Sequence, residues 1–249
     1  MNKLLVTSLV TAATTLTTFV SSTSAQTATD VSQEIYEQQY EGISDEVLSL
    51  DYEEWNFFNN LVNQERNLLD LNDLPQVDFS LISQDGVNDL ELYFINEGAT
   101  HRDQLLFSTD GGDTKELIFD DISSEQSIIS ESDGSLALGQ GTSLGSFATD
   151  TDIDFFLGKN GGNVFFTSGA QNNVDNINHL ISYQVEFEGE DYYLLGFEDL
   201  WGGGDQDFND TVFVVKGAVE PIPEPRAAIS LIALGGLGAM TLRKRRSLR

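Results

Sequence analysis

Residues 195–215 read LGFEDLWGGGDQDFNDTVFVV. Two apolar, aromatic-rich runs, Tyr192–Phe197 and Thr211–Val215, flank a loop that holds Gly202, Gly203 and Gly204, which is the pattern of strand, loop and strand. The loop carries Glu198, Asp199, Asp205, Asp207 and Asp210 together with the amide of Asn209, and no Lys or Arg follows until Lys216. Like charges this close repel and push one another toward protonation, so an ordered loop of this kind calls for a bound cation or open water. Asp205-x-Asp207-x-Asn209 sets oxygen-bearing side chains at alternate positions, and the glycines let the backbone bend and offer carbonyls. Oxygen-only chemistry points to calcium. The spacing is not that of an EF-hand, because Asp210 and Lys216 stand where that loop needs Gly and a bidentate Glu. Zinc is disfavoured by the absence of Cys and His from the loop. Two alternatives stay open: an acidic turn capped by its own side chains, and a catalytic carboxylate site.

Outward from this stretch, the chain after Pro75 is a series of short Phe, Ile, Leu, Val and Tyr runs. Strands are expected at 77–81, 90–95, 104–108, 116–119, 153–157, 164–167, 180–187, 192–197 and 212–216. Asp85-Gly86, Asp110-Gly111-Gly112, Asp133-Gly134, Asn160-Gly161-Gly162 and Glu188-Gly189 supply turns between them. The pattern implies an antiparallel β-sandwich over residues 74–218, and no helix-length segment interrupts it as a parallel α/β sheet would require. Residues 26–73 read as a helical N-terminal segment. There Trp55, Phe58, Leu61, Val62, Leu68 and Leu69 recur at spacings of three and four, more in the manner of a packing face than of a ligand site.

Composition narrows the function. The 249 residues are 40% hydrophobic with 16 Phe, enough for a core, and there is no Cys, so no disulfide contributes to stability. All 41 acidic residues lie in 26–225, where only Arg66, Arg102, Lys115, Lys159 and Lys216 are basic; the whole chain has a net charge of −29. Binding of nucleic acid or acidic lipid by such a surface is disfavoured, whereas a divalent cation is favoured.

Both termini carry targeting features. Residues 1–25 read as a secretory signal peptide, with Lys3, a Thr-diluted apolar segment and small residues at Thr23-Ser24-Ala25. Residues 219–249 hold Pro223-Glu224-Pro225, sixteen uncharged residues from Ala227 to Leu242, and the basic cluster Arg243, Lys244, Arg245 and Arg246. As a helix that apolar segment is about 24 Å long, a minimal transmembrane span whose basic end stays in the cytoplasm.

The tail resembles a PEP-CTERM sorting signal, carried by Ile222-Pro223-Glu224-Pro225, the short apolar helix and the terminal basic cluster. The resemblance implies an exosortase-type processing protease as partner, transient anchoring through the C-terminal helix, and release to the cell surface or an exopolysaccharide matrix. Residues 77–216 resemble the domain of unknown function family 4114, through Phe94-Ile-Asn-Glu-Gly-Ala99 and Gly196-Phe-Glu-Asp-Leu-Trp-Gly-Gly-Gly-Asp-Gln-Asp-Phe-Asn-Asp210. That resemblance implies a secreted or surface domain whose acidic positions, here Glu97, Glu198, Asp199, Asp205, Asp207, Asn209 and Asp210, serve metal ligation or an enzymatic activity.

The enzymatic alternative is a secreted carbohydrate-active hydrolase that uses Glu198 with Asp205 or Asp207. Against it, every one of these acids has acidic neighbours rather than apolar surroundings. Trp201 is expected to pack over the Gly-rich loop, with a sugar platform as the alternative. Gly141-Thr-Ser143-Leu-Gly145 matches G-x-S-x-G literally but lacks the strand-to-helix context of a nucleophile elbow, and it reads as a polar Gly-Ser loop. His179 is expected to be a surface or hydrogen-bonded residue, and His101 a loop residue without a role. Asp150, Asp152 and Asp154 read as the solvent face or leading turn of a strand, with a second calcium site as the alternative. Together these readings give an exported calcium-binding β-sandwich module rather than an enzyme.

Overall fold

A computed structural model describes residues 31–44, 46–62, 75–77, 83–84, 88–128, 134–149, 151–159, 162 and 164–219. The signal segment, Arg66, Leu68, Leu69, Asp150 and the sorting tail from residue 220 onward lie outside the described residues. Among the described residues, no helix is long and apolar enough to cross a membrane.

The long run 180–197 folds as a hairpin of β10 (Leu180–Phe187) and β11 (Glu190–Phe197), paired in register from Leu180↔Phe197 to Phe187↔Glu190. Glu188 and Gly189 form its two-residue turn with φ of 52° and 86°, the double positive φ that matches the twist of the flanking strands. Strand β12 (Thr211–Lys216) pairs with the other edge of β11, and β4 (Leu90–Asn96) pairs with β12. The sheet is completed by β7 (Gln140–Gly145) and β1 (Leu48–Ser49) on one side and by β2 (Gln76–Val77) on the other, giving the antiparallel order β1-β7-β4-β12-β11-β10-β2. A second antiparallel sheet runs β6-β5-β8-β9, from β5 (Gln104–Ser108), β6 (Glu116–Phe119), β8 (Asp154–Lys159) and β9 (Val164–Phe166). A short pair joins β3 (Ser83–Gln84) to β13 (Ala218–Val219).

The two sheets share one core. Phe119 of β6 stacks on Phe213 of β12 with ring centroids 6.1 Å apart, and Phe94 of β4 meets the same ring at 5.7 Å. The larger sheet is buried on its other face as well, by α1 (Gln33–Gln38) and α2 (Tyr52–Val62). Asp51 caps α2, its Oδ1 accepting the Glu54 N–H at 2.9 Å, and the inward face of the helix repeats Trp55, Phe58, Asn59 and Val62. Phe58 packs on Tyr192 at 5.0 Å between ring centroids, and the Trp55 indole N–H donates to the Ile95 carbonyl at 2.9 Å. The helices thus form a third layer. Burial on both faces explains why β12 from Val212 to Val215 and the second half of β11 are apolar instead of alternating.

The segment read as a polar Gly-Ser loop, 141–145, is strand β7, paired with both β4 and β1. The reason lies on the neighbouring strand. The Tyr93 ring lies across Gly141, where a Cβ would collide with it, so the strand needs glycine at that position. This antiparallel setting also removes any nucleophile elbow at Ser143.

Trp55→Ala in the full chain is expected to lower unfolding stability in urea by about 3–5 kcal/mol, through the lost core volume and the orphaned Ile95 carbonyl. A loss under about 1 kcal/mol would contradict a helical layer integral to the core.

Candidate metal centre

Phe197 and Thr211 are paired neighbours, so the 198–210 loop connects two central strands and must close across one end of the sheet. Glu198, the first residue off β11, is fully buried. Its backbone N–H donates to the His179 carbonyl at 3.0 Å and its own carbonyl faces His179 Nδ1 at 2.9 Å. Its Oε1 accepts the Phe208 N–H at 2.9 Å, while Oε2 is buried with no hydrogen-bond partner. Gly204, at φ 47°, closes over that oxygen, and a Cβ there would collide with it.

Asp205 is exposed and Asp207 is buried, and one carboxylate oxygen from each lies with one from Glu198 in a set no wider than 4.8 Å. Two ligands about 2.4 Å from a common ion are separated by no more than that distance. Among the described residues this is the one acidic group that closes to ion-binding dimensions. Three carboxylates, one of them carrying an unsatisfied buried oxygen, fit a hard divalent cation with oxygen preference.

The other residues of the expected ligand set sit around this cluster. Asn209 is buried, its N–H 3.5 Å from Asp207 Oδ1 and its carbonyl accepting the Gly98 N–H at 2.9 Å. That bond joins the 94–99 motif to the loop, beside the fully buried Glu97. Asp199 is not one of the three, its Oδ2 lying 2.5 Å from His101 Nδ1 and its carbonyl accepting Lys159 Nζ at 2.9 Å. Asp210 accepts the Asp199 N–H at 2.7 Å. Of the second acidic set, Asp152 and Asp154 fall outside the ion-sized group; burial and then Asp152 raise the Asp154 carboxyl, with Lys115 opposing.

Burial, followed by the charges of Asp207, Asp205 and Asp199, pushes the Glu198 carboxyl up to about 8, against the opposing Phe208 N–H. Burial and then Asp199, Glu198 and Asp207 raise Asp210 in the same direction. Without a cation, then, the surroundings of these two carboxyls disfavour their charged form.

Three contributors were invisible in the motif. His179, expected at the surface or hydrogen-bonded, is fully buried, stacked on Phe166 with ring centroids 3.9 Å apart, and its Nε2 meets Asp175 Oδ2 at 2.9 Å. Asp175 Oδ2 also accepts the Gly202 N–H at 2.9 Å, which ties the Gly-rich turn to the His179 clamp on Glu198. His101, assigned no role, is the partner of Asp199. Trp201 does not pack over the loop. It is 62% exposed, and Ile177 lies against Gly203 in its place.

Residues 138–218 match the family described as Domain of unknown function (DUF4114). The DUF4114 span takes in β7 through β13 and the entire 198–210 loop, and leaves the 94–99 motif outside. Among solved structures, the chain is similar to the Chromobacterium violaceum lectin CV2L in complex with alpha-methyl-fucoside, at 14% identity, TM-score 0.33, covering 58% of this chain and 98% of that one. It is also similar to the Ralstonia solanacearum high-affinity mannose-binding lectin, at 17% identity, TM-score 0.32, covering 57% and 97%. A likeness of that size carries no functional argument. No curated protein matches the chain by sequence.

The Glu198 environment sets a pH dependence. The folded chain releases this proton near 8 and the unfolded chain near 4.5, so the stability that goes with the protonated carboxyl is complete below 4.5 and is lost as pH rises through 8. In chelator, the midpoint of thermal unfolding of the full chain is expected to fall between pH 5 and pH 8.5, and Glu198→Gln to flatten much of that slope. A slope equal in both proteins would contradict a buried, unsatisfied Glu198.

Proposed function

We propose that this chain is an exported cell-surface or extracellular-matrix protein whose β-sandwich binds one calcium ion through Glu198, Asp205 and Asp207. The carrying observation is the buried Glu198 Oε2, without a hydrogen-bond partner, beside two further carboxylates at ion-sized spacing. Calcium bound there neutralises the cluster and joins the ends of β11 and β12. Backbone carbonyls of the Gly202–Gly204 turn, the Asn209 amide and water complete the six to eight oxygens that calcium takes.

The terminal sequences support the location. The 1–25 segment directs export, and Pro223-Glu224-Pro225 with Arg243, Lys244, Arg245 and Arg246 marks the chain for an exosortase-type protease. Outside the cell an affinity of about 10⁻⁴ to 10⁻³ M keeps such a module filled.

The hydrolase reading finds less support. One oxygen from each of the three acids lies within 4.8 Å of the others, a spacing that suits a shared cation.

Calcium at about 100-fold over its dissociation constant is expected to stabilise the full chain by about 2.7 kcal/mol, a rise of roughly 5–10 °C in unfolding midpoint. Magnesium should give a smaller shift, and Asp205→Asn with Asp207→Asn should abolish the response. An unchanged midpoint in calcium, or an equal rise in the double variant, would refute the site.

A further inference from the structure

The loop that carries the metal ligands also presents an indole to solvent. Trp201 is 62% exposed and, with the 66% exposed Val174, borders a groove of about 370 Å³. Phe165 lines its apolar side, and Thr167, Asn172 and Lys115 supply polar groups. A groove of this volume has room for one sugar ring.

The lining has two chemical halves. An exposed indole face beside Val174 and Phe165 suits the C–H face of a pyranose. Asn172 spends one amide hydrogen on the Ser168 carbonyl at 2.9 Å, which leaves its second N–H and its carbonyl oxygen for a ring hydroxyl. Lys115 is the distinguishing group. Its Nζ donates to the Gly112 carbonyl at 2.6 Å and stands 4.5 Å from the centroid of Phe156 and 5.3 Å from that of Phe165. Arg102 and Lys216 are ion-paired with Asp121 and Glu190, whereas Lys115 makes no salt bridge among the described residues; Asp154 is near enough to feel its charge without pairing. An ammonium without a salt bridge among the described residues, at an aromatic groove in a chain of net charge −29, is complementary to a ligand carboxylate.

The platform is also held by the metal loop. The Gly203 N–H donates to the Leu200 carbonyl at 3.0 Å, and the Gly202 N–H to Asp175, whose partner His179 contacts the Glu198 carbonyl. Trp201 therefore sits between a metal ligand and a turn anchored to the same ligand's backbone.

We propose that this groove binds a uronic-acid residue of an acidic polysaccharide, its ring on Trp201 and its carboxylate at Lys115, with calcium in the adjoining loop fixing the indole. The inference rests on the calcium reading for its metal dependence alone.

Of the two tryptophans, Trp55 is fully buried, so quenchable emission reports Trp201. With the full chain in about 1 mM calcium, trigalacturonate is expected to change that emission saturably and to bind roughly tenfold more tightly than maltotriose. Lys115→Gln should remove the preference, and Trp201→Ala should abolish binding in calorimetry, both keeping the calcium-induced thermal shift. Glu198→Gln should weaken trigalacturonate binding several-fold. No saccharide binding by a chain that keeps its calcium shift would overturn the groove and leave the metal site standing. Equal binding of the two sugars, unchanged by Lys115→Gln, would overturn the acidic ligand. Undiminished trigalacturonate binding in Glu198→Gln would overturn the metal link, and a missing calcium shift in the parent chain would refute the calcium reading itself.

Discussion

A carboxylate buried where two central strands must be joined is the constraint around which the rest is arranged. Glu198 leaves β11 at full burial beside the paired Phe197 and Thr211, and the chain reaches solvent only from Leu200 onward. Local structure then serves that side chain. Gly204 lacks the Cβ that would strike Oε2, the Phe208 N–H satisfies Oε1, and His179 fixes the backbone on both sides of the residue. One oxygen is left over, and two more acids lie beside the carboxylate. A buried charge that is not matched costs several kcal/mol, and that cost is the physical ground of the calcium proposal.

The sheet can support such a site because it is held from both faces. Phe94, Phe119 and Phe213 bind it to the smaller sheet, and Trp55 and Phe58 bind it to the helices. Among the described residues, the chain's acidity is compatible with this because most of it stays at least partly exposed, where water and counterions screen it. The exceptions are buried Glu97, Asp103, Glu198, Asp199 and Asp207, several of which gather at the end of the sheet where the loop closes. An export route would let the metal load after the chain has left a compartment poor in calcium.

Much of the architecture was legible because it rests on local signals. The Glu188-Gly189 turn, the run of β-formers on either side, and the three-four spacing of Trp55, Phe58 and Val62 each specify their element without help from distant residues. The acidic loop was legible as a crowd of carboxylates, of which Glu198, Asp205 and Asp207 come together. What stayed hidden depends on partners far along the chain. Strand β7 looks like a loop until Tyr93 is laid across Gly141. Asp175 and His179 acquire their role only when residues 175–179 are brought beside 198–202, and His101 only beside Asp199. Trp201 read as a packing residue because indoles usually are; the turn through Gly202 and Gly203 and the placement of Ile177 turn it outward instead.

The most direct measurement is calcium stoichiometry by equilibrium dialysis of the full chain at neutral pH, side by side with Glu198→Gln. The account predicts one calcium ion per chain at saturation through this loop, lost from the variant while its fold is retained by circular dichroism. Equal calcium uptake by the two proteins, or none by either, would contradict it.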